Sequence, residues 1–250
     1  MGLHTPMRRW FSLLILTVTG CSVGFKPTDY PAPLDLMEAS EARFRRGKWT
    51  DAALGFRQLT FQLPTRDSLA LRARFMLAET DYAQGNLLEA SRQFRRVVDE
   101  APSSSLAPNA LLRSGDAQAA LWKRPELDPT YGEAATATYR ELTARYPGTP
   151  AAARAGIQLR VLAGMRAEKE FKNGDFYFKI KAYDSAILYF KSVVADHGES
   201  PFAVRSLNRL VEIYGRLQYE EERGEMCTHL RTYYAESEGL DDRCPVTSGQ

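Results

Sequence analysis

Residues 52–64 read AALGFRQLTFQLP, and residues 90–102 read ASRQFRRVVDEAP. In each stretch an aromatic residue follows the first alanine by four positions, and a proline follows it by twelve. The same phrase returns as ATATYRELTARYP at residues 135–147, and AILYFKSVVADHG at residues 186–198 ends in glycine instead of proline. Residues four apart share a helix face, and proline cannot continue a helix. The phrase therefore predicts a series of equivalent helices, each with a small residue and a ring on its packed face.

This spacing resembles the second half of the tetratricopeptide repeat (TPR), a helix–turn–helix unit of about 34 residues. Gly47 and Gly85 stand five residues before the first two alanines, where a tight turn between helices favours glycine. From about Leu34 to Tyr234 the pattern is helical, with no convincing strand-like alternation. We therefore predict an all-α fold, a TPR solenoid of about five helix–turn–helix repeats.

The predicted repeats are irregular in length. Residues 123–130 should form a loop inside the third repeat, and the first helix of the fourth should be long, from about residue 151 to 179. A fifth, degenerate unit has Glu222 and Met226 at its alanine and aromatic positions, a drift typical of a capping repeat. The predicted boundaries are repeats 1–3 over residues 35–147, repeats 4–5 over residues 148–236, and a C-terminal tail over residues 237–250.

The N-terminus has the organisation of a bacterial lipoprotein leader. Arg8 and Arg9 precede an apolar segment that is too short to span a bilayer, and Val18-Thr19-Gly20-Cys21 resembles a lipobox. Residues 1–20 are thus predicted to be a signal peptide, and Cys21 is predicted to carry diacylglycerol and acyl chains as a lipid anchor. Ser22 in place of aspartate favours, by analogy with Gram-negative lipoproteins, the outer membrane, with the protein facing the periplasm. Residues 21–34, which are rich in proline, are predicted to form an extended tether.

Composition and motifs narrow the classes of function. The chain has 33 Lys and Arg against 31 Asp and Glu, and loss of Arg8 and Arg9 with the leader would leave 31 of each. A neutral protein lacks the basic footprint of nucleic-acid binding. The sequence contains no P-loop, G-x-S-x-G or H-E-x-x-H motif, and its histidines and cysteines form no good ligand set. We therefore expect no enzyme, no metal, and no cofactor other than the lipid on Cys21.

The run FYFKIKAYDSAILYFKSVV at residues 176–194 and DPTY at residues 128–131 resemble the BamD family of outer-membrane assembly lipoproteins. The order of lipid anchor, tether, five repeats and tail is also similar, over nearly all of the mature chain. BamD proteins belong to the BAM machinery, which inserts β-barrels into the outer membrane. The resemblance implies a scaffold whose partners are a BamA-like barrel subunit with POTRA domains, other assembly lipoproteins and unfolded outer-membrane substrates.

Two other functions remain open at the level of sequence. A periplasmic TPR adaptor for envelope division or peptidoglycan machinery would be favoured by coiled-coil heptads before the repeats, and none is present. A lytic transglycosylase with a helical superstructure would need an additional domain with a catalytic glutamate in a cleft, whereas only a short tail follows the repeats.

TPR stacks bind ligands mainly along the surface made by the first helices of the repeats. Six side chains are predicted to line it in repeats 1 and 2: Phe44, Arg45, Arg72, Phe75, Glu79 and Tyr82. Rings flanked by arginines suit a peptide with an aromatic side chain and a carboxylate, the kind of signal that ends barrel substrates. The alternative is that Phe75 and Tyr82 pack between repeats and that Arg72 pairs with Glu79.

The C-terminal repeats carry three further predictions. By family resemblance they should hold the barrel subunit, with four candidate contacts: Tyr214, Arg216, Tyr219 and Arg223. The alternative is that these residues pack within a capping repeat and leave their charges exposed to solvent. Cys227 and Cys244 could form a disulfide in an exported protein, although sequence alone gives no distance between them. Helical spacing predicts that seven rings form the core of the fourth repeat: Phe171, Phe176, Tyr177, Phe178, Tyr183, Tyr189 and Phe190.

Overall fold

The computed structural model describes residues 24–245, and its regular elements in that range are helical. The predicted signal peptide, Cys21 and residues 246–250 lie outside the described residues. A short 3-10 helix, Pro27–Asp29, precedes the α-helices. These are α1 Pro33–Arg45, α2 Trp49–Gln62, α3 Ser68–Ala83, α4 Leu87–Glu100, α5 Ala107–Ala119, α6 Thr130–Arg145, α7 Pro150–Lys179, α8 Tyr183–Asp196, α9 Pro201–Leu217, α10 Glu220–Tyr233 and α11 Leu240–Arg243.

Each helix packs on the next one in the chain, from α1 on α2 to α9 on α10. The ten longer helices form five helix–turn–helix pairs over the described residues, and the recurring phrase lies in the second helix of each of the first four pairs. Four second helices, α2, α4, α8 and α10, have the same length of 14 residues. The predicted all-α TPR solenoid of about five repeats is confirmed.

The phrase works through contact between large and small side chains. Its four alanines and four rings are completely buried. The first helices supply glycines opposite two of the rings: a Cβ on Gly115 would lie 2.5 Å from the ring of Tyr139, and one on Gly174 would lie 2.8 Å from Phe190. Such close approach leaves no room for any larger residue. The first helix of these two repeats therefore also has a position where only a very small residue fits. The alanine–aromatic phrase in the second helix does not predict that position.

The fifth repeat differs from its predicted register by one residue. When α10 is aligned with α8 by their equal lengths, Arg223 and Cys227 occupy the alanine and aromatic positions. Cys227 is buried, whereas Met226 is only partly buried, so the prediction of Glu222 and Met226 is wrong. The sulphurs of Cys227 and Cys244 are bonded, across a Cα separation of 5.5 Å. A cystine thus fills the space that a ring fills in the other repeats.

The predicted extended tether is wrong from Phe25 onward. Phe25 is buried against Leu36, Met37 and other residues of the first repeat. The guanidinium of Arg43 lies 5.2 Å from the centre of its ring. Burial of a side chain of this size stabilises the attachment of this segment to the first repeat by about 2 kcal/mol. The polar composition of the segment does not predict that burial.

Helix α7 is 30 residues long and belongs to two hydrophobic cores. Its residues up to Leu162 pack with α5 and α6, whereas Ala167 and Phe171 pack with α8 and α9. The predicted long helix and the predicted loop at residues 123–130 are both present. We call residues 33–165 the N-terminal stack and residues 167–244 the C-terminal stack. Within residues 24–245, no helix combines the length and the apolar character needed to cross a bilayer.

Candidate functional site

Two of the six residues predicted for the N-terminal groove, Arg45 and Arg72, are exposed, and a third, Phe44, is partly buried. Glu41 on α1 holds the two arginines: its Oε1 is 2.6 Å from Nη2 of Arg72, and its Oε2 is 3.9 Å from Nη1 of Arg45. The side chains of Arg72 and Arg45 remain 53% and 67% exposed, so they can still reach a ligand. Phe44 is partly buried against the core of the first repeat.

The other three predicted residues are engaged inside the N-terminal stack. Phe75 meets Phe94 edge-on, with ring centres 5.3 Å apart. Glu79 accepts two hydrogen bonds of 2.7 Å from Arg113, and Tyr82 lies beneath the same guanidinium at 4.1 Å. The alternative that Phe75 and Tyr82 pack between repeats therefore fits the geometry. The suggested pairing of Arg72 with Glu79 is wrong, because Arg72 pairs with Glu41 instead.

Arg113 on α5 is the centre of this internal network. It also donates to Asp116 Oδ2 at 3.2 Å, and Asp116 Oδ1 accepts from the hydroxyl of Tyr139 at 2.8 Å. Burial lowers the pKa of Arg113, but Glu79 and Asp116 more than offset it and the net shift is upward. Burial and the charge of Asp116 raise the pKa of Tyr139, which keeps its hydroxyl neutral. No sequence motif singles out Arg113, because arginines on solvated helix faces look the same.

A cavity of ≈ 730 Å³ lies in the C-terminal stack between α7, α9, α10 and α11. We call it the arginine cleft. Two acidic residues, Glu212 and Asp242, stand among its lining. Five arginines also line it: Arg205, Arg209, Arg216, Arg223 and Arg243. Two of these, Arg216 and Arg223, are among the four predicted partner contacts.

Three arginines of the cleft have carboxylate partners, and one of them, Arg223, has its Nη1 3.5 Å from Glu220. Arg209 Nη2 lies 3.0 Å from Asp175, and its Nη1 lies 2.9 Å from Glu212. Arg216 donates to Glu212 at 2.6 Å and to the hydroxyl of Tyr183 at 3.2 Å. Partial burial raises the pKa of Asp175, but hydrogen bonding and charge from Lys179 and Arg209 bring it below its ordinary value. This side of the cleft is therefore pre-organised and charged.

Arg205 is different, because the described residues provide no carboxylate that forms an ion pair with it. Its guanidinium lies over two rings, 4.4 Å from the centre of Phe171 and 5.1 Å from that of Phe202. A cation held over rings keeps its N–H groups available for an incoming anion. The sequence predicts neither Arg205 nor Arg209, since only the fold brings α7 and α9 together here.

Tyr214 and Tyr219 do not line the cleft. Tyr214 is 3% exposed and packs in the core of the C-terminal stack, so the prediction that it contacts a partner is wrong. Tyr219, 48% exposed, lies at the start of α10, and its ring centre is 6.4 Å from that of Tyr214. Tyr214 therefore supports the position of Tyr219, and Tyr219 remains available at the surface.

The seven-ring core prediction for the fourth repeat is only partly correct. Phe171 and Phe190 are buried in the core, but Phe176 is 58% exposed. Tyr177, Phe178 and Tyr183 are partly buried and pack against that core. Tyr189 is also partly buried and stacks on Tyr177, with ring centres 5.5 Å apart. Helical spacing cannot distinguish this arrangement from a core, because both place rings on facing helices. Among the described residues, no group of three or more His, Cys, Asp or Glu side chains is placed to hold a metal ion.

Helix pairs with an alanine–aromatic phrase, stacked in chain order, define a TPR scaffold, a class of protein that presents surfaces to other proteins. Over residues 31–230 the chain matches the family described as YfiO, outer membrane lipoprotein, and it belongs to that family. The outer membrane protein assembly factor BamD of Caulobacter vibrioides is 28% identical over 214 residues, which cover 84% of this chain and 70% of that protein. The resemblance to BamD is confirmed, and the chain is an outer-membrane-associated scaffold rather than an enzyme.

Solved TPR structures are similar over most of the chain. A thermophilic TPR protein of Thermus thermophilus is 16% identical, with a TM-score of 0.41, and the match covers 85% of this chain and 96% of that one. The TPR-like repeats of a kinesin light chain from Podosopora anserina are 14% identical, with a TM-score of 0.43, and the match covers 85% and 98%.

Proposed function

We propose that this chain is a scaffold subunit of the machinery that assembles β-barrel proteins in the outer membrane. The family match supports it, as does the assembly role in the name of the Caulobacter relative. The observation that carries the proposal is the arginine cleft, a charged and partly unpaired surface in a protein of this family. Cys21 would anchor the scaffold by its lipid to the outer membrane, with the repeats in the periplasm.

The C-terminal stack is the proposed contact with a BamA-like barrel subunit. Arg205 and Arg216 line the cleft, and Tyr219, which lies between Arg216 and Arg223 in the sequence, offers an exposed ring. Arginines recognise carboxylates with two parallel hydrogen bonds, and exposed tyrosines are frequent anchors in interfaces. An acidic segment of a POTRA domain has the chemistry to fill this cleft.

The N-terminal surface is the proposed contact with substrate signals. Arg45 and Arg72 share the carboxylate of Glu41, beside the partly buried ring of Phe44. An incoming C-terminal carboxylate would compete with Glu41 for these two arginines, and its aromatic side chain would pack near Phe44. Other assembly lipoproteins are proposed as additional partners.

Affinity purification from detergent-solubilised envelopes tests the proposal. The tagged full-length protein should retain a large barrel protein with POTRA domains through a salt wash. The double variant Arg205→Glu/Arg216→Glu should lose most of it, because reversed charges repel an acidic segment. A matched variant, Arg45→Glu/Arg72→Glu, should retain the barrel protein but lose affinity for a peptide with an aromatic C-terminus. Recovery of division or peptidoglycan factors without a barrel protein would instead support the adaptor alternative.

A further inference from the structure

The length of α7 leaves a gap in the stack. At each junction the second helix of one repeat packs on the first helix of the next: α2 on α3, α4 on α5, α6 on α7 and α8 on α9. Helix α6, however, shares its core with the first half of α7, through Tyr139, Leu142 and Ala151. The second half of α7, which pairs with α8, shares its core with α8 and α9 instead. Over the described residues, its other flank lacks the preceding helix that an ordinary repeat would have.

A groove of ≈ 460 Å³ lies between α7 and α8, and its lining residues come from these two helices and not from α9. We call it the α7–α8 groove. The stacked rings of Tyr177 and Tyr189 form its floor, and Leu188, 71% exposed, stands at its side. Phe176 extends the apolar surface, with its ring centre 5.4 Å from that of Tyr177. Contiguous exposed apolar side chains of this size typically mark an interaction site.

One charged residue, Glu170, stands among the residues that line the groove. Its Oε2 accepts a hydrogen bond of 2.9 Å from Ser192, and its Oε1 lies 3.6 Å from Nε2 of His197. No lysine or arginine in residues 24–245 pairs with it. The loop at residues 123–130 approaches α7 nearby, where Lys169 donates to its carbonyl oxygens, but it does not line the groove. A partly buried carboxylate without a permanent cation complements a positively charged ligand.

We propose that the α7–α8 groove docks one amphipathic helix of a partner protein, with apolar side chains on Tyr177, Leu188 and Tyr189 and a lysine or arginine on Glu170. The helix would take the place that the second helix of a preceding repeat takes elsewhere in the stack, so its packing partners are already in position. Helix-in-groove binding uses this combination of an apolar stripe and one directing charge. The site is separate from both surfaces of the proposed function and does not depend on them.

A synthetic probe tests this docking on the purified mature chain without any partner. The probe is a fluorescein-labelled helix of about 16 residues with leucines three and four residues apart and one arginine a turn away. A control helix has glutamate in place of the arginine. In fluorescence anisotropy, the arginine helix should bind at least about tenfold more tightly than the glutamate helix. Glu170→Gln should remove most of that preference.

Leu188→Asp should weaken binding of the arginine helix by about tenfold or more. Because Leu188 is 71% exposed, this change should leave the melting temperature nearly unaltered. The matched control is Leu54→Asp on α2, where the leucine is also exposed, at 44%, and binding should not change. Absence of binding, equal loss in both variants, or preference for the glutamate helix would overturn the proposal.

A photo-crosslinking residue at position 188 provides the second measurement, in intact envelopes. The crosslinked partner residue should map to an amphipathic helix with a lysine or arginine one turn from apolar residues. A crosslink to lipid, to an extended or acidic segment, or to a second copy of this chain would contradict helix docking. Because Arg205→Glu/Arg216→Glu changes the arginine cleft alone, failure of the proposed function and failure of this docking are separately visible.

Discussion

Arg113 in the N-terminal stack and Arg205 in the C-terminal stack each lie over two aromatic rings, but they differ in whether carboxylates pair with them. Arg113 lies over Tyr82 and Phe94, and Arg205 lies over Phe171 and Phe202. Arg113 has two carboxylate partners, Glu79 and Asp116, whereas the described residues give Arg205 none. An arginine over rings is therefore an internal clamp where carboxylates surround it and a binding group where they do not.

The largest expected effect separates these two arginines directly. Arg113→Ala should lower the free energy of unfolding by about 3 kcal/mol, because it leaves two partly buried carboxylates unpaired. Arg205→Ala should lower it by about 1 kcal/mol or less, since contacts with two rings but no ion pair are lost. Urea denaturation followed by circular dichroism measures both. Similar losses in the two variants would show that the ion pairs of Arg113 do not stabilise the fold more than the ring contacts of Arg205 do.

The disulfide gives the C-terminal stack a constraint that the N-terminal stack lacks among its described residues. The double variant Cys227→Ser/Cys244→Ser should cost about 2–3 kcal/mol, because the bond joins residues 17 positions apart and closes a loop. Thermal unfolding of the wild type with and without reductant should show the same loss, and the variant should not respond to reductant. A variant as stable as the wild type would mean that packing of α11 alone closes this end.

Two glycines of α7 test how tightly each part of this helix is packed. Gly174→Ala should cost about 1–3 kcal/mol, because its Cβ would lie 2.8 Å from the ring of Phe190. Gly164→Ala, where nothing lies within 4 Å, should be neutral or stabilise by up to about 1 kcal/mol. Melting temperatures of the two variants provide the comparison. A stabilising Gly174→Ala would show that Phe190 can move aside.

The smallest expected effect concerns acid. The pKa of Asp175 is lowered in the folded state, so its contribution is present above its unfolded pKa of about 3.9. That contribution is lost as pH falls from about 4 through the lower folded value. Denaturation at pH 5 and pH 3 should therefore show a smaller loss of stability in Asp175→Asn than in the wild type. An identical pH dependence would mean that solvent screens the pair with Arg209.

The fold is predictable because its signal repeats. Four copies of one phrase specify the same small-to-large contact, and each copy supports the others. The fifth copy has a cysteine at the ring position, and with neither alanine nor ring to mark the frame, the predicted register is wrong by one residue. Gly115 and Gly174 give no comparable signal, because a lone glycine in a helix has many explanations.

The candidate sites are less predictable, because they depend on which charges meet across repeats. Arg72 and Glu79 lie on one helix face, yet each finds a nearer partner on another helix, Glu41 and Arg113. Arg205 reaches Phe171 from 34 positions away in sequence, a contact that only the stacking of α9 on α7 creates. The three prolines that follow Phe25 favour a tether, and its burial becomes visible only in the fold.

The length of α7 also determines the angle, about the helix axis, at which the two stacks face. Each residue of an α-helix adds about 100° of rotation and about 1.5 Å of length. An insertion of two residues between Leu162 and Ala167 would therefore turn the arginine cleft by about 200° about the helix axis, whereas seven residues would restore its azimuth to within about 20°. Length changes within this helix should thus be tolerated in relatives only in whole-turn steps, and chains with other steps should present their two stacks in different directions.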